Sequence, residues 1–505
     1  MLIRFFPGYL GGSVSKGGMT AGHSIQLADL PDVREFVPNG HRASFVDEKR
    51  IGIILSMFIE RTFLFTRING KLYTMSDIIF GIDFGTTNSA LAVNMDGNVE
   101  VVDIDRFNTQ GRTLKSVLYF DPEEKEFFVG QEAIDNYIEN DAYGRFIQSI
   151  KAFLPDNSFH STEIRGKYYK LDDLIAIILK KIKTEGEKYV DSPVDSVVLG
   201  RPVLFSEDKV KDAFAEERLK SAARKAGFKH IHMQYEPIAA ALSYESGLSP
   251  GEEKIVLIGD FGGGTSDFTI MKVKGGRPHR GYDSRKNILS LNGVYIGGDT
   301  FDSQIMREKI ALYFGKDVTI KAFMDDYSVG FPKILIRKLC KWHLIPQLRL
   351  PKTLQSIHEM KLRADKPELL ENLISLIEDN YGYMLFRSIE KNKIDLSSAN
   401  ESKIIFEGLK QRIEENVTRS EFEEIIANDF STIKKCVEKT LADASLSAKD
   451  IDVVFLTGGS SYIVCINRYF QEMFGKEKIN QTNAFTSVSY GLGIEGSSLR
   501  SSLQP

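Results

Sequence analysis

Residues 78–89 of this 505-residue chain read IIFGIDFGTTNS, and residues 255–267 read IVLIGDFGGGTSD. Each stretch begins with an apolar run, which is followed by Asp-Phe-Gly and then by a short turn of small and hydroxyl residues. A second apolar run comes after each turn. The pattern predicts two β-hairpins with glycine in their tight turns. Asp83 and Asp260 are 177 residues apart, so the repeat predicts a duplicated fold with two related lobes.

The two turns have the composition of phosphate-binding loops. Glycines without side chains leave backbone N–H groups accessible to phosphate oxygens, and threonine hydroxyls add donors. The residues concerned are Gly85, Thr86 and Thr87 in the first turn and Gly262, Gly263, Gly264 and Thr265 in the second. Asp83 and Asp260 each end a strand and can hold Mg²⁺ through its bound water. Two such loops facing each other would clamp a triphosphate from both sides.

Composition narrows the class of protein. Lysine and arginine number 65 against 69 aspartates and glutamates, a net charge of −4, which does not favour nucleic acid or an anionic membrane as partner. The three cysteines are far apart and form no CxxC pair, so we expect no disulfide framework or zinc site, and a cytoplasmic location. Neither a GxxxxGK[ST] loop nor a dinucleotide-binding GxGxxG motif is present.

The two hairpins resemble the phosphate signatures of the seventy-kilodalton heat-shock chaperones of the DnaK type. Three further stretches match that family in order: QYEPIAAA at 234–241, IGGDTFD at 296–302 and LTGGS at 456–460. The resemblance covers residues 76–496 and is nearest to the YegD-type branch, which is reduced to its ATPase domain. It implies an α/β protein with the two-lobed fold of actin, hexokinase and these chaperones, built from duplicated ribonuclease-H-like lobes.

The resemblance also implies site residues. Lys151 would neutralise charge on the γ-phosphate, Glu236 would order metal-bound water, and Asp267 and Thr265 would complete the catalytic set. ATP or ADP would be held by the two phosphate turns with Asn88, and by Gly297, Gly298, Glu390, Lys393, Ser397, Gly458, Gly459 and Ser460. Mg²⁺ is the expected cation, with K⁺ as a further candidate. Ile394 stands where the chaperones usually carry an arginine that stacks on adenine.

We predict lobe I at 76–256 and lobe II at 257–496, with a helical insertion at about 303–389 and a tail at 497–505. Residues 1–74 are predicted to be an N-terminal extension or an upstream mis-start, because residues 75–80 look like a native start before a first strand. A targeting or docking segment is the alternative. No peptide-binding domain or lid is expected after Gly496.

The function predicted from these features is a chaperone-like ATPase with slow Mg²⁺-dependent hydrolysis that gates lobe closure. Its partners would be ATP and an unidentified protein or co-chaperone, with neither nucleic acid nor membrane. Two alternatives from the same superfamily stay open, an actin-like filament former and a small-molecule kinase. The first would polymerise with ATP, and the second would need an acceptor and a substrate base.

Overall fold

The computed structural model describes residues 65–68, 71–74, 78–108, 111–123, 127–140, 143–276, 284–322, 327–410, 412–481 and 486–503. Residues 1–64 of the predicted extension lie outside this part of the chain. The rest of that extension contains a hairpin of two strands, β1 (Phe65–Ile68) and β2 (Lys71–Thr74).

The elements up to residue 245 form the first half of the structure. Its strands are β3 (Ile78–Phe84), β4 (Asn88–Met95), β5 (Asn98–Val102), β6 (Leu114–Lys115), β7 (Leu118–Phe120), β8 (Phe127–Val129), β9 (Arg145–Ile147), β10 (Thr162–Ile164), β11 (Lys167–Tyr169), β12 (Ser196–Arg201) and β13 (His230–Tyr235). Its helices are α1 (Gln131–Glu139), α2 (Leu171–Val190), α3 (Lys209–Lys225) and α4 (Glu236–Glu245).

The elements from residue 253 onwards form the second half. Its strands are β14 (Glu253–Phe261), β15 (Ser266–Lys274), β16 (Ile288–Val294), β17 (Thr319–Lys321), β18 (Ser328–Gly330), β19 (Glu401–Phe406), β20 (Ile413–Thr418), β21 (Val453–Thr457) and β22 (Ile479–Asn480). Its helices are α5 (Gly298–Ile305), α6 (Lys333–Leu339), α7 (Pro351–Lys361), α8 (Pro367–Glu378), α9 (Gly382–Asp395), α10 (Arg419–Ile425), α11 (Ala427–Asp443), α12 (Val464–Phe474) and α13 (Ser487–Leu503).

The two main sheets have the same topology. The first has the strand order β13-β12-β3-β4-β5, and the second has the order β22-β21-β14-β15-β16. In both, three antiparallel strands continue into two parallel ones, because β3 pairs in parallel with β12 as β14 does with β21. The predicted duplication is therefore present in the fold. The first sheet also carries a sixth strand, the short β6, which pairs with β4.

The sequence explains why β3 and β14 lie in the middle of their sheets. Residues 78–82 of β3 are all buried, and the C-terminal part of β14 is buried as well. Continuous apolar strands of this kind are typical of sheets covered by helices on both faces. Helices α2 and α3 cover one face of the first sheet, where Ile175, Leu179 and Leu219 belong to the same apolar cluster as Phe80.

Helices α4 and α13 pack between the two sheets and close a shared core. Ala240 of α4 and Leu492 of α13 are buried there with Ile79 of the first sheet and Ile258 of the second. The two helices cross closely at Gly491, where a Cβ atom would overlap the carbonyl oxygen of Ala239. A side chain is excluded at this position by the neighbouring backbone rather than by backbone torsion.

The structure differs from two of the predicted boundaries. We predicted the residues of helix α13 to belong to lobe II and to the tail. In the structure, α13 packs on α4 and on strands of the first sheet, so it completes the first half. Residue 497, the predicted start of the tail, lies inside that helix. The segment 303–389, predicted to be a helical insertion, contains helices α6 to α8 and the short hairpin of β17 and β18. Its last helix, α9, continues to Asp395. None of the helices in the described residues has the length and apolarity needed to cross a lipid bilayer.

Candidate nucleotide site

The two predicted phosphate turns face each other across a cleft. The β3–β4 and β14–β15 turns line a cavity of about 1250 Å³ together with residues from both halves. A Cβ atom on Gly263 would lie 2.8 Å from Oγ1 of Thr87 and 3.4 Å from the Cβ of Thr86, so the backbone of the second turn lies close to the side chains of the first. The backbone of each turn is therefore accessible from the same space, as a shared anion site requires.

A buried ion pair lies at the base of the cleft. Nζ of Lys151 is 2.8 Å from Oε1 of Glu236, and each side chain is only 9% exposed. Lys151 belongs to a 3₁₀ turn, Ile150–Phe153, which Ser149 enters in the left-handed conformation at φ 47°. Glu236 is the first residue of α4 and is followed by Pro237, which suits the helix start because its missing N–H has no helical partner there.

Three aspartates lie near this ion pair and have raised pKa values. Burial and the charge of Glu236 raise the pKa of Asp260 to about 7. Burial, reinforced by Glu236, also raises the pKa of Asp83 well above its ordinary value. The pKa of Asp267 is raised by burial and by Asp260. Burial alone would lower the pKa of Lys151. The negative charges of Glu236 and Asp83 have the larger effect, so the pKa of Lys151 is raised.

This concentration of carboxylates suits a hydrated cation. Asp83 and Asp260 both line the cleft, and their mutual repulsion contributes to the raised pKa of Asp83. A divalent cation between them would relieve that repulsion. In the described part of the chain, no group of three or more His, Cys, Asp or Glu side chains could hold a metal ion. Asp83 and Asp260 by themselves fit Mg²⁺, which proteins usually hold through one or two carboxylates together with water and phosphate oxygens.

A second buried network lies at the other end of the cleft, where α9 meets α5. Nζ of Lys393 donates to Oδ2 of Asp302 at 2.7 Å and to the carbonyl oxygen of Gly298 at 3.1 Å. Burial raises the pKa of Asp302 to about 7 and that of Asp299 to about 6, with Glu390 adding to both. Asp299 also accepts a hydrogen bond from Ser149 of the first half at 3.4 Å.

Most of the predicted site residues line this one cleft. They are Asp83, Gly85, Thr86, Thr87, Asn88, Lys151, Glu236, Asp260, Gly262, Gly263, Gly264, Thr265, Gly298, Glu390, Lys393, Ser397, Gly458, Gly459 and Ser460. Two others lie behind its wall. Asp267 is 2% exposed and accepts a hydrogen bond from the Thr265 hydroxyl at 3.0 Å. A Cβ on Gly297 would lie 2.6 Å from the carbonyl oxygen of Gly262, so this glycine packs against the second turn.

Several residues of the cleft were not predicted. Asp299 lines it, Asp302 holds Lys393, and the Thr457 hydroxyl donates to Oδ1 of Asp260 at 3.1 Å. Tyr462 lines the cleft with Ile394. Asp299 and Asp302 belong to the IGGDTFD stretch, and Thr457 to LTGGS, so the motifs that drew attention to their glycines contained them as well. Tyr462, two positions beyond LTGGS, had no such signal.

Comparison with known proteins identifies the family. The family model described as Hsp70 protein matches residues 79–328 and 375–504. These segments cover well over half of the chain and include both phosphate turns. This chain belongs to the Hsp70 family, and it therefore has the two-lobed, actin-like ATPase fold predicted from the sequence.

Individual relatives agree with this assignment. The chain is 29% identical over 433 residues to the chaperone protein DnaK of Thermosipho melanesiensis. The aligned region covers 84% of this chain and 59% of the relative. The chain is 28% identical over 433 residues to the chaperone protein DnaK of Thermotoga maritima, covering 84% and 60%. The chain thus spans about three fifths of the length of these curated relatives. The narrower likeness to the YegD-type branch stays a prediction.

Proposed function

We propose that this chain binds Mg·ATP in the cleft and hydrolyses it slowly, as a nucleotide-gated switch that acts through a partner protein. The observation that carries the proposal is the Lys151–Glu236 ion pair, enclosed with Asp83 and Asp260 where the two phosphate turns meet. Phosphoryl transfer depends mainly on positioning and charge stabilisation, which this arrangement provides. The slow rate and the gating role are taken from the prediction made from the sequence.

In the proposed reaction, water attacks the γ-phosphorus and the bond to the bridging oxygen breaks, giving ADP and phosphate. The Lys151 ammonium donates one N–H to Glu236 and lies beside the space for the γ-phosphate. Glu236 holds Lys151 in place and accepts a hydrogen bond from the attacking water. Asp267 acts through Thr265, whose hydroxyl it orients. Mg²⁺, when bound through water at Asp83 and Asp260, would neutralise phosphate charge.

The base and ribose would occupy the other end of the cleft. Glu390 and Lys393 lie one turn apart on α9 and line the cleft there, with Ser397 just beyond the helix. Backbone at Gly458 and Gly459 lines the facing wall. A co-chaperone or other protein partner is part of the proposal by family likeness, and K⁺ stays a candidate cation.

The test is steady-state phosphate release from the full chain with Mg·ATP, together with equilibrium binding of ATP. Lys151→Ala should lose turnover while it still binds nucleotide. Lys183→Ala is the matched control, because Lys183 is also buried and ion-paired, to Glu187, but lies on α2 outside the cleft. It should hydrolyse ATP at the wild-type rate.

Two outcomes would contradict the proposal. ATP binding without turnover in the wild-type chain would remove the enzymatic part and leave a nucleotide-gated binding protein. Absence of ATP binding would remove the whole proposal. A large rate increase with an added small-molecule acceptor would instead favour the kinase alternative, and ATP-dependent polymerisation would favour the filament former.

A further inference from the structure

A second, smaller pocket of about 280 Å³ lies where elements from the two halves meet, away from the nucleotide cleft. Three arginines line it: Arg145 and Arg165 from the first half and Arg349 from the second. Among the described residues of its lining, Glu163 supplies the one carboxylate. Arginine side chains are therefore the most numerous charged groups in the described lining of the pocket. We call it the arginine pocket.

Arg145 has no charged or polar partner in the described structure. Its guanidinium takes part in none of the hydrogen bonds or ion pairs there, and its Nε is buried without an acceptor. Arg145 stands on β9 opposite Phe120, which also lines the pocket. A buried donor without an acceptor is costly, so native structures rarely contain one that no water, ion or ligand satisfies. Burial and the nearby charge of Arg349 lower the pKa of Arg145.

Arg349 is fixed in position but is not neutralised by the groups that hold it. Its Nη1 donates to Oδ1 of Asn380 at 2.6 Å, and its Nη2 donates to the carbonyl oxygen of Glu378 at 3.1 Å. Both acceptors are uncharged. The guanidinium is thus oriented beside a second arginine, an arrangement that costs electrostatic energy unless an anion lies between them.

We propose that the arginine pocket binds a phosphate-type oxyanion. Arginine presents planar pairs of N–H donors that match the oxygens of phosphate, and such charge-assisted bonds are among the strongest in proteins. Tyr143, which is 63% exposed and lines the pocket, carries a hydroxyl that can add a further donor.

The bound anion would join the two halves of the molecule. Next to the pocket, the Tyr137 hydroxyl of the first half donates to the carbonyl oxygen of Asn380 in the second, at 3.0 Å. Phe146, which follows Arg145, packs against Tyr383 with ring centroids 4.5 Å apart. An oxyanion held by Arg145 and Arg349 together would add a charged link to this aromatic contact.

The experiment measures the thermal unfolding of the full chain with increasing inorganic phosphate at constant ionic strength. The nucleotide cleft is a second place for phosphate, so the measurement is made with the cleft filled by a saturating non-hydrolysable ATP analogue. Phosphate at about ten times its dissociation constant for the arginine pocket should then raise Tm by about 1–2 °C. Arg145→Met and Arg349→Met should each abolish this rise, and the double variant should behave like either single variant.

Arg307→Met is the matched control, because Arg307 is an exposed, ion-paired arginine outside the pocket, and it should keep the full rise. If Arg145→Met does not fold, Arg145→Lys replaces it and should reduce the rise at least by half. A short phosphoserine peptide, used in place of phosphate, distinguishes a phosphorylated protein segment from a free anion as the source. A rise that survives Arg145→Met and Arg349→Met, or no rise with either probe, overturns the proposal.

Discussion

Asp260 and Asp267 are direct cross-strand partners in the β14–β15 hairpin, so two buried carboxyl groups share one side of the same short ladder. Like charges placed opposite each other in a sheet are destabilising. Burial raises the pKa of both groups; the charge of Asp260 adds to the rise at Asp267, and that of Glu236 adds to the rise at Asp260, whose pKa reaches about 7. The protein therefore keeps two carboxyl groups at positions where burial disfavours their ionised forms.

The first prediction concerns stability against pH. The pKa of Asp260 rises from 3.8 to about 7 on folding, so its ionisation costs stability as pH rises from about 4 to about 7, and the cost stays constant above that range. Asp260→Asn removes the charge and should raise the free energy of unfolding at pH 8, by at most about 4 kcal/mol. The gain should shrink towards pH 5. Urea unfolding at pH 5, 6, 7 and 8 measures it, and a gain that does not depend on pH would contradict this account.

The second prediction concerns the buried ion pair. Lys151→Met leaves the Glu236 carboxylate without its cation beside Asp83 and Asp260, and should cost about 3–5 kcal/mol in unfolding free energy. The double variant Lys151→Met/Glu236→Gln should recover part of this loss, since the unpaired charge is gone. A double-mutant cycle in urea at pH 7.5 measures the recovery. Strictly additive losses would show that the two side chains are not coupled.

The third prediction concerns recognition of the base, and it depends on the proposed nucleotide binding. Tyr462 and Ile394 line the cleft with 43% and 59% of their surface exposed, so an aromatic ring and an apolar side chain are available there. Stacking of a base on an aromatic side chain contributes about 1–3 kcal/mol. Tyr462→Ala should weaken ADP binding about tenfold, whereas Tyr462→Phe should not. Pyrophosphate, which has no base, should bind equally well to all three proteins in calorimetric titrations.

The fourth prediction concerns the crossing of α4 and α13. Gly491→Ala forces a methyl group onto the carbonyl oxygen of Ala239 and should cost about 3 kcal/mol or more, because backbone atoms of two packed helices must separate. Gly247→Ala is a suitable control, since its Cβ would make an ordinary contact of 3.5 Å with the carbonyl oxygen of Tyr244. Denaturant unfolding compares the two variants, and equal losses would argue against close helix contact as the cause.

The sequence predicts the fold, and most of the residues that it indicates for the site line one cleft. The two turns consist of glycines and threonines in a repeated local pattern, and such a pattern can be recognised without knowledge of the tertiary structure. The topology of the two sheets follows the same duplication. Lys151 and Glu236 are 85 positions apart, and the likeness of two separate short stretches to one family was enough to place both in the cleft.

Other features depend on contacts that no local pattern records. Asp302 forms an ion pair with Lys393, although the two residues are 91 positions apart in the sequence. The sequence therefore predicts that Lys393 belongs to the site but does not identify the carboxylate that holds it. The composition of residues 497–503 is typical of a polar chain end. In the structure they continue helix α13, which packs on the first half through its earlier residues Gly491 and Leu492. The three arginines of the arginine pocket come from separate segments, and no two of them are closer than 20 positions in the sequence.

The packing of α13 on the first sheet has a consequence for the order of events during synthesis. The buried Asn94 amide donates to the carbonyl oxygen of Gly493, and the two residues are 399 positions apart. At ordinary rates of translation the second residue is made ~20–80 s after the first. Throughout that interval the emerging first sheet lacks its last helix, and Ile79 of the shared core lacks part of its cover. The first sheet therefore needs protection from aggregation for longer than its early place in the chain suggests.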